Sequence, residues 1–123
     1  MRILLSFEKD YRVYGQAIAA AIREFRPDVE VAACDGEDLD EEAERFDPQL
    51  VIRSPPDPED PVDDRLSCIE LSPEPDQPSR FRLGDRQWET TNPTLGEILP
   101  VVDETKRLRR EARNQEGEPD DAY

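Results

Sequence analysis

The chain has no histidine. That absence removes the general base of Ser–His and Cys–His nucleophilic catalysis and the nitrogen ligand of most zinc sites. Its two cysteines, Cys34 and Cys68, form no CxxC pair; they read as ordinary buried thiols, with a disulfide or a reactive thiol as the alternatives. The five glycines are scattered, and no glycine-rich phosphate loop follows a strand, so nucleotides and flavins lack their usual residues and no cofactor is expected. No stretch approaches the ~18 consecutive apolar residues of a membrane span. The opening run Met1 to Glu8 is too short in apolar residues for a signal peptide and has no small-residue cleavage site, so the cytoplasm is the expected compartment.

Positive charge is also scarce. Sixteen Lys and Arg stand against 31 Asp and Glu, a net charge of -15. Such a field repels phosphate, and no folded element gathers a basic stripe, so neither nucleic acid nor an anionic membrane is expected as a partner. The charge reads instead as a solubility device, suited to a salty medium in which counterions relieve self-repulsion.

A length of 123 residues fits one domain. Apolar runs are dense over 1–54 and 66–102 and nearly absent from 55–65 and 114–123. Residues 1–113 are therefore expected to form a single α/β domain, and 114–123 a disordered acidic tail.

Ile3-Leu4-Leu5 is a continuous apolar run, the pattern of a strand buried on both faces. Asp10 is placed to cap a helix running to about Phe25, with Tyr11, Tyr14, Ile18, Ile22 and Phe25 as its apolar stripe. Val29 to Ala33 reads as an edge strand. Leu39 to Phe46 reads as a short helix whose leading acids meet the positive end of its dipole. Pro48 introduces Leu50-Val51-Ile52, a third strand buried on both faces. Ile69 and Leu71 mark a fourth strand, flanked by two proline-rich loops that cannot be ordinary crossover helices. A turn at Gly84-Asp85 pairs Phe81 with Trp88 and Arg80 with Glu89 in a hairpin. Thr94 and Glu97 form a capping box for a last helix that turns Leu95, Ile98, Leu99 and Val102 inward, kinks near Pro100 and projects Lys106–Arg113 into solvent. The expected fold is a three-layer α/β domain: a mostly parallel, doubly wound sheet of order 2-1-3-4, with a C-terminal hairpin and a final helix.

Arg2-Ile3-Leu4-Leu5 leading to an acidic turn and a long helix, then Phe46-Asp47-Pro48 leading into Leu50-Val51-Ile52, resembles the receiver domain of bacterial response regulators, a flavodoxin-like fold. Asn92-Pro93 ahead of Leu95 and Glu97-Ile98 stands where that family has a Lys-Pro pair before its last helix. The resemblance implies that the family's phosphoacceptor Asp aligns with Ser54, its metal-binding acid pair with Phe7-Glu8, and its conserved Lys with Asn92. All these functional positions are altered, so the resemblance implies a degenerate receiver-like domain that is not phosphorylated.

The remaining clusters have bland readings. The acids from Asp35 to Asp47 lack calcium-loop spacing and read as a solvated helix face. Glu8 and Asp10 fall at the carboxyl end of the central strand, where open α/β sheets bind ligands, although helix capping accounts for Asp10. Phe81 and Trp88 read as a packing pair rather than a ligand platform. Lys106–Arg113 reads as a helix end complementing its dipole, with docking to an acidic partner as the functional option.

The function expected on this basis is a non-catalytic protein-interaction or regulatory module, with no metal and no catalytic residues. The alternative is a small enzyme or small-ligand binder using a strand-end crevice lined by Glu8, Asp10, Ser54 and Asn92. Because loops replace the helices that would cover the third and fourth strands, Val51, Ile69, Leu71, Phe81 and Trp88 are expected to leave an apolar patch that a homodimer buries.

Overall fold

The computed structural model describes residues 1–54 and 67–117, with side chains to residue 112; the first proline-rich stretch, in 55–66, and the chain end at 118–123 lie outside the described residues. The elements are β1 (Arg2–Phe7), α1 (Arg12–Phe25), β2 (Glu30–Asp35), α2 (Leu39–Phe46), β3 (Leu50–Ser54), β4 (Ser67–Glu70), β5 (Pro78–Leu83), β6 (Arg86–Thr91) and α3 (Leu95–Gly117). They build one six-stranded mixed sheet in the order β2-β1-β3-β4-β5-β6. The first four strands pair in parallel, and β5 and β6 continue the sheet antiparallel. The expected order 2-1-3-4 is therefore present, while the parallel character stops at β4. The hairpin extends the sheet itself, because β5 pairs along the whole of β4.

Strand periodicity distributes the core. Ile3, Leu5, Phe7, Leu50, Ile52, Ile69, Phe81 and Leu83 face α1 and α3 in the larger apolar cluster. Leu4 and Val51 face the other way and pack with Leu39 and Ala43 of α2. Both faces of Leu50-Val51-Ile52 are buried, each residue showing no exposed surface, as a continuous apolar run requires.

The helices depart from the sequence reading in instructive ways. Asp10 makes no cap for α1; it lies in a short 3-10 turn, Lys9–Tyr11, closed by Tyr11 N–H donating to the Glu8 carbonyl at 2.8 Å. The buried stripe of α1 is Gly15, Ile18, Ala19 and Ile22. Tyr14 and Phe25 are largely exposed because the stripe is set by Gly15, the residue that lets α1 approach the Phe7 ring. At the end of α2, Asp47 takes a left-handed φ of 53° and donates its N–H to the Ala43 carbonyl at 2.9 Å, after which Pro48 prevents the helix from continuing.

Helix α3 is longer than expected, reaching Gly117 rather than ending at 113. Its buried face is Ile98, Val101, Val102 and Thr105, with Leu108 packed at the margin, so the helix stays docked well past Val102. Thr105 donates its hydroxyl proton to the Val101 carbonyl at 2.7 Å, which leaves Ser67 to donate to Thr105 across 2.5 Å. At the other end of the expected box, the Glu97 carboxylate accepts the Thr94 N–H at 2.9 Å. Arg26 grips Asp103 with two hydrogen bonds of 2.6 and 2.7 Å, and Lys106 pairs with Asp28, so the loop before β2 is tied to α3, while Arg107 and Arg110 are exposed as expected.

The hairpin registers Phe81 against Trp88 and Arg80 against Glu89, as its sequence predicts. The rings of Phe81 and Trp88 stack at 5.4 Å with 12° between planes. Gly84 has φ +62°, the left-handed first position of a type II′ turn, which twists with the strands it joins.

Candidate functional site

In a doubly wound sheet the carboxyl ends of the strands form the ligand-binding edge. Here that edge is occupied as follows. Phe7 closes β1 with its ring buried beneath α1, edge-on to Tyr14 at a centroid distance of 5.7 Å. Ser54 closes β3, is 2% exposed, and its hydroxyl has no hydrogen-bond partner among the described residues. The Ser54 carbonyl accepts the Glu8 N–H at 3.1 Å, which pins the turn after β1 to the end of β3. The side chains of Glu8 and Asp10 are exposed around that turn.

Asn92 does not join them. It follows β6, held at a left-handed φ of 51° that Asn tolerates better than most residues. With β4 and β5 between β3 and β6, Asn92 is three strand spacings, about 14 Å, from the line of Ser54. The four-residue crevice expected from the sequence is thus divided: Glu8 and Asp10 are exposed on the turn after β1, the Ser54 side chain is buried at the end of β3 beside it, and Asn92 stands apart. The physical reason is the antiparallel hairpin, which puts β5 between β4 and β6 and so carries the end of β6 away from β3.

The groove near this edge lies between α1 and the ends of β1 and β2, with a volume of about 190 Å³. It is lined by Phe7, Arg12, Gln16 and Asp35 among others, and Arg12 and Asp35 form an ion pair of 2.9 Å across it. This pair is not apparent from either residue's local sequence. Its signal is the placement of one charge of each sign at the start of α1 and the end of β2, two points that a parallel sheet brings to the same edge.

The expected apolar interface does not form a surface. Val51, Ile69 and Leu71 show no exposed area and Phe81 only 2%, while Trp88 is 37% exposed. Ile69 and Phe81 point toward α3, and Val51 lies under α2. On β4–β6 the opposite face carries Cys68, Glu70, Arg80, Arg82, Gln87 and Glu89, lining a shallow groove of about 480 Å³. The alternation in Cys68-Ile69-Glu70-Leu71 and Arg80-Phe81-Arg82-Leu83 contains this outcome: strands of one-sided apolarity turn their polar side to the face that α3 does not cover.

The thiols are separated in the same way. Cys34 on β2 and Cys68 on β4 are three strand spacings apart, about 14 Å, well beyond disulfide reach. Burial raises the Cys34 thiol to about 11, reinforced by the carboxylates of Glu42, Asp38 and Asp35. Burial raises Cys68 to about 12, with Glu70 adding to the effect. Neither is a nucleophilic thiolate near neutral pH. Among the described residues, no group of three or more His, Cys, Asp or Glu is placed to hold a metal ion, and no helix is long and apolar enough to cross a membrane.

No family model, curated protein or solved structure matches the chain.

Proposed function

We propose that this chain is a non-catalytic protein-interaction or regulatory module on a receiver-like scaffold, acting in the cytoplasm by binding a protein, a second copy of itself included. The observation that carries the reading is the strand-end edge. The position that would hold a metal-binding acid carries the buried Phe7 ring, and the position of a phosphoacceptor carries the buried Ser54 hydroxyl, unpartnered among the described residues. A hydroxyl becomes a competent nucleophile when an adjacent base takes its proton. Among the described residues, the Ser54 hydroxyl has no such hydrogen-bonded base. The separation of Asn92 from Glu8, Asp10 and Ser54 weighs in the same direction, because a small-ligand site needs convergent polar groups.

The test is phosphoryl transfer. Incubation of the chain with acetyl phosphate and Mg²⁺ is expected to leave its intact mass unchanged. A single phosphoryl adduct that is lost in Ser54→Ala would overturn the reading.

A further inference from the structure

We infer that the free edge of β6 is a homodimerisation strand, pairing antiparallel with β6 of a second copy about a two-fold axis at Trp88. The inference names the partner and surface of the module just proposed and rests on that reading.

β6 is the outermost strand on its side of the sheet, and among the described residues no backbone hydrogen bond reaches its outer edge. The turn fixes which groups that edge presents. In a two-residue hairpin the flanking pair Leu83 and Arg86 exchanges main-chain hydrogen bonds, so Arg86, Trp88 and Thr90 point their N–H and C=O groups toward β5. Gln87, Glu89 and Thr91 therefore point theirs outward. Natural edge strands are commonly blunted by Pro, by charged side chains, Lys above all, or by a bulge. β6 has no Pro or Lys, its two charged residues Arg86 and Glu89 are paired with Glu104 and Arg80, and it pairs with β5 residue for residue from Arg86 to Thr91 without a bulge.

The opposite edge differs. On β2, Glu30 donates its N–H to Met1 on the β1 side, so the Val31 carbonyl points outward, and Arg23 from α1 donates to it at 3.1 Å.

The sequence of β6 is compatible with itself in one register. A two-fold axis normal to the sheet keeps each side chain on its own face, so only residues of the same parity can stand opposite. Centred on Trp88, the pairs are Trp88 with Trp88, Arg86 with Thr90, and Gln87 with Glu89, and no like charges meet. Centred on Glu89, two carboxylates would oppose, and centred on Gln87, Glu89 would face Asp85. In the Trp88 register the outward-pointing Gln87 and Glu89 supply the shared main-chain hydrogen bonds. The two indoles occupy a non-hydrogen-bonded pair, where side chains lie closest, and they extend the Phe81–Trp88 stack across the junction. Trp88 retains 37% exposure in the single chain, so it has apolar surface left to bury. A single shared strand makes a small interface, which places this dimer in the weak, transient class. The net charge of -15 on each copy opposes it at low salt.

The test is sedimentation equilibrium of the full chain from micromolar to submillimolar concentration in high salt, read beside the emission of Trp88, the only tryptophan. A dimer of twice the 14.2 kDa monomer mass is expected, with the emission shifting to the blue as it forms. Gln87→Lys sets opposite charges against Glu89 at both symmetric positions, and Gln87→Glu sets like charges there. The first is expected to tighten and the second to weaken the dimer, each by roughly fivefold. The same substitutions at the exposed Gln16 control for net charge and are expected to change little. A monomer at every concentration overturns the inference, as does a dimer indifferent to residue 87 or equally sensitive at residue 16. None of these results alters the phosphoryl-transfer outcome, so the failure of the strand and the failure of the module reading are told apart.

Discussion

At Gly15, local preference and packing pull in opposite directions. A glycine inside a helix costs about 1 kcal/mol relative to alanine, so replacement would ordinarily stabilise α1. A Cβ at this position would lie 2.8 Å from the Cγ and Cδ1 atoms of Phe7, an aromatic ring held beneath the helix. Overpacking of this kind costs about 1–3 kcal/mol and outweighs the propensity gain. Gly15→Ala is therefore expected to lower the thermal midpoint, measured by circular dichroism. An unchanged or raised midpoint would show that α1 can lift away from β1 without loss. The same contact gives Phe7 its structural role: the ring completes the core between α1 and β1, where a charged side chain would be costly to bury.

At the level of elements, α3 is held to the rest of the chain by apolar contacts and by charged ties to the loop before β2. Arg26 holds the Asp103 carboxyl below its ordinary value of 3.8, and Lys106 does the same for Asp28. A depressed carboxyl stabilises the fold fully above its ordinary pKa, and that contribution is lost as pH falls through the depressed value. Asp103→Asn is expected to lower the unfolding midpoint slightly at neutral pH, since both partners are solvent-accessible. The variant and the parent are expected to converge below pH 3.8, and a gap that persists in strong acid would assign the effect to packing. Much of this level is legible in the sequence. The apolar run of β3, the Gly84-Asp85 turn and the Glu97 contact at the start of α3 follow from local pattern alone. The ties from Arg26 and Lys106 do not, because each joins residues more than seventy positions apart. The direction of β5 was also hidden: the hairpin is local, but its pairing along β4 depends on how the chain returns to the sheet. The divided crevice follows from that one pairing, since it carries Asn92 away from Ser54.

For the whole molecule, charge sets the response to solvent. Exposed pairs such as Arg2–Glu30 and Arg80–Glu89, both at 3.8 Å, contribute little. A net charge of -15 remains to repel itself in the compact state. That repulsion is screened over about 10 Å at ~0.1 M salt and about 3 Å at ~1 M. The midpoint of thermal unfolding is expected to rise from low salt to molar NaCl. A flat or falling midpoint would show that the local pairs dominate.

The contact of Arg23 with the Val31 carbonyl has a consequence for growth. A sheet with two open edges can add copies without limit, and repeated addition leads to fibres. Here one edge carries a guanidinium on an outward carbonyl, while the other is compatible with its own image. In the dimer proposed above, pairing through β6 would use up the open edge on both copies and leave the two β2 strands at the ends. Such a dimer would be finite, and crowding the chain would then drive it to pairs rather than to polymer.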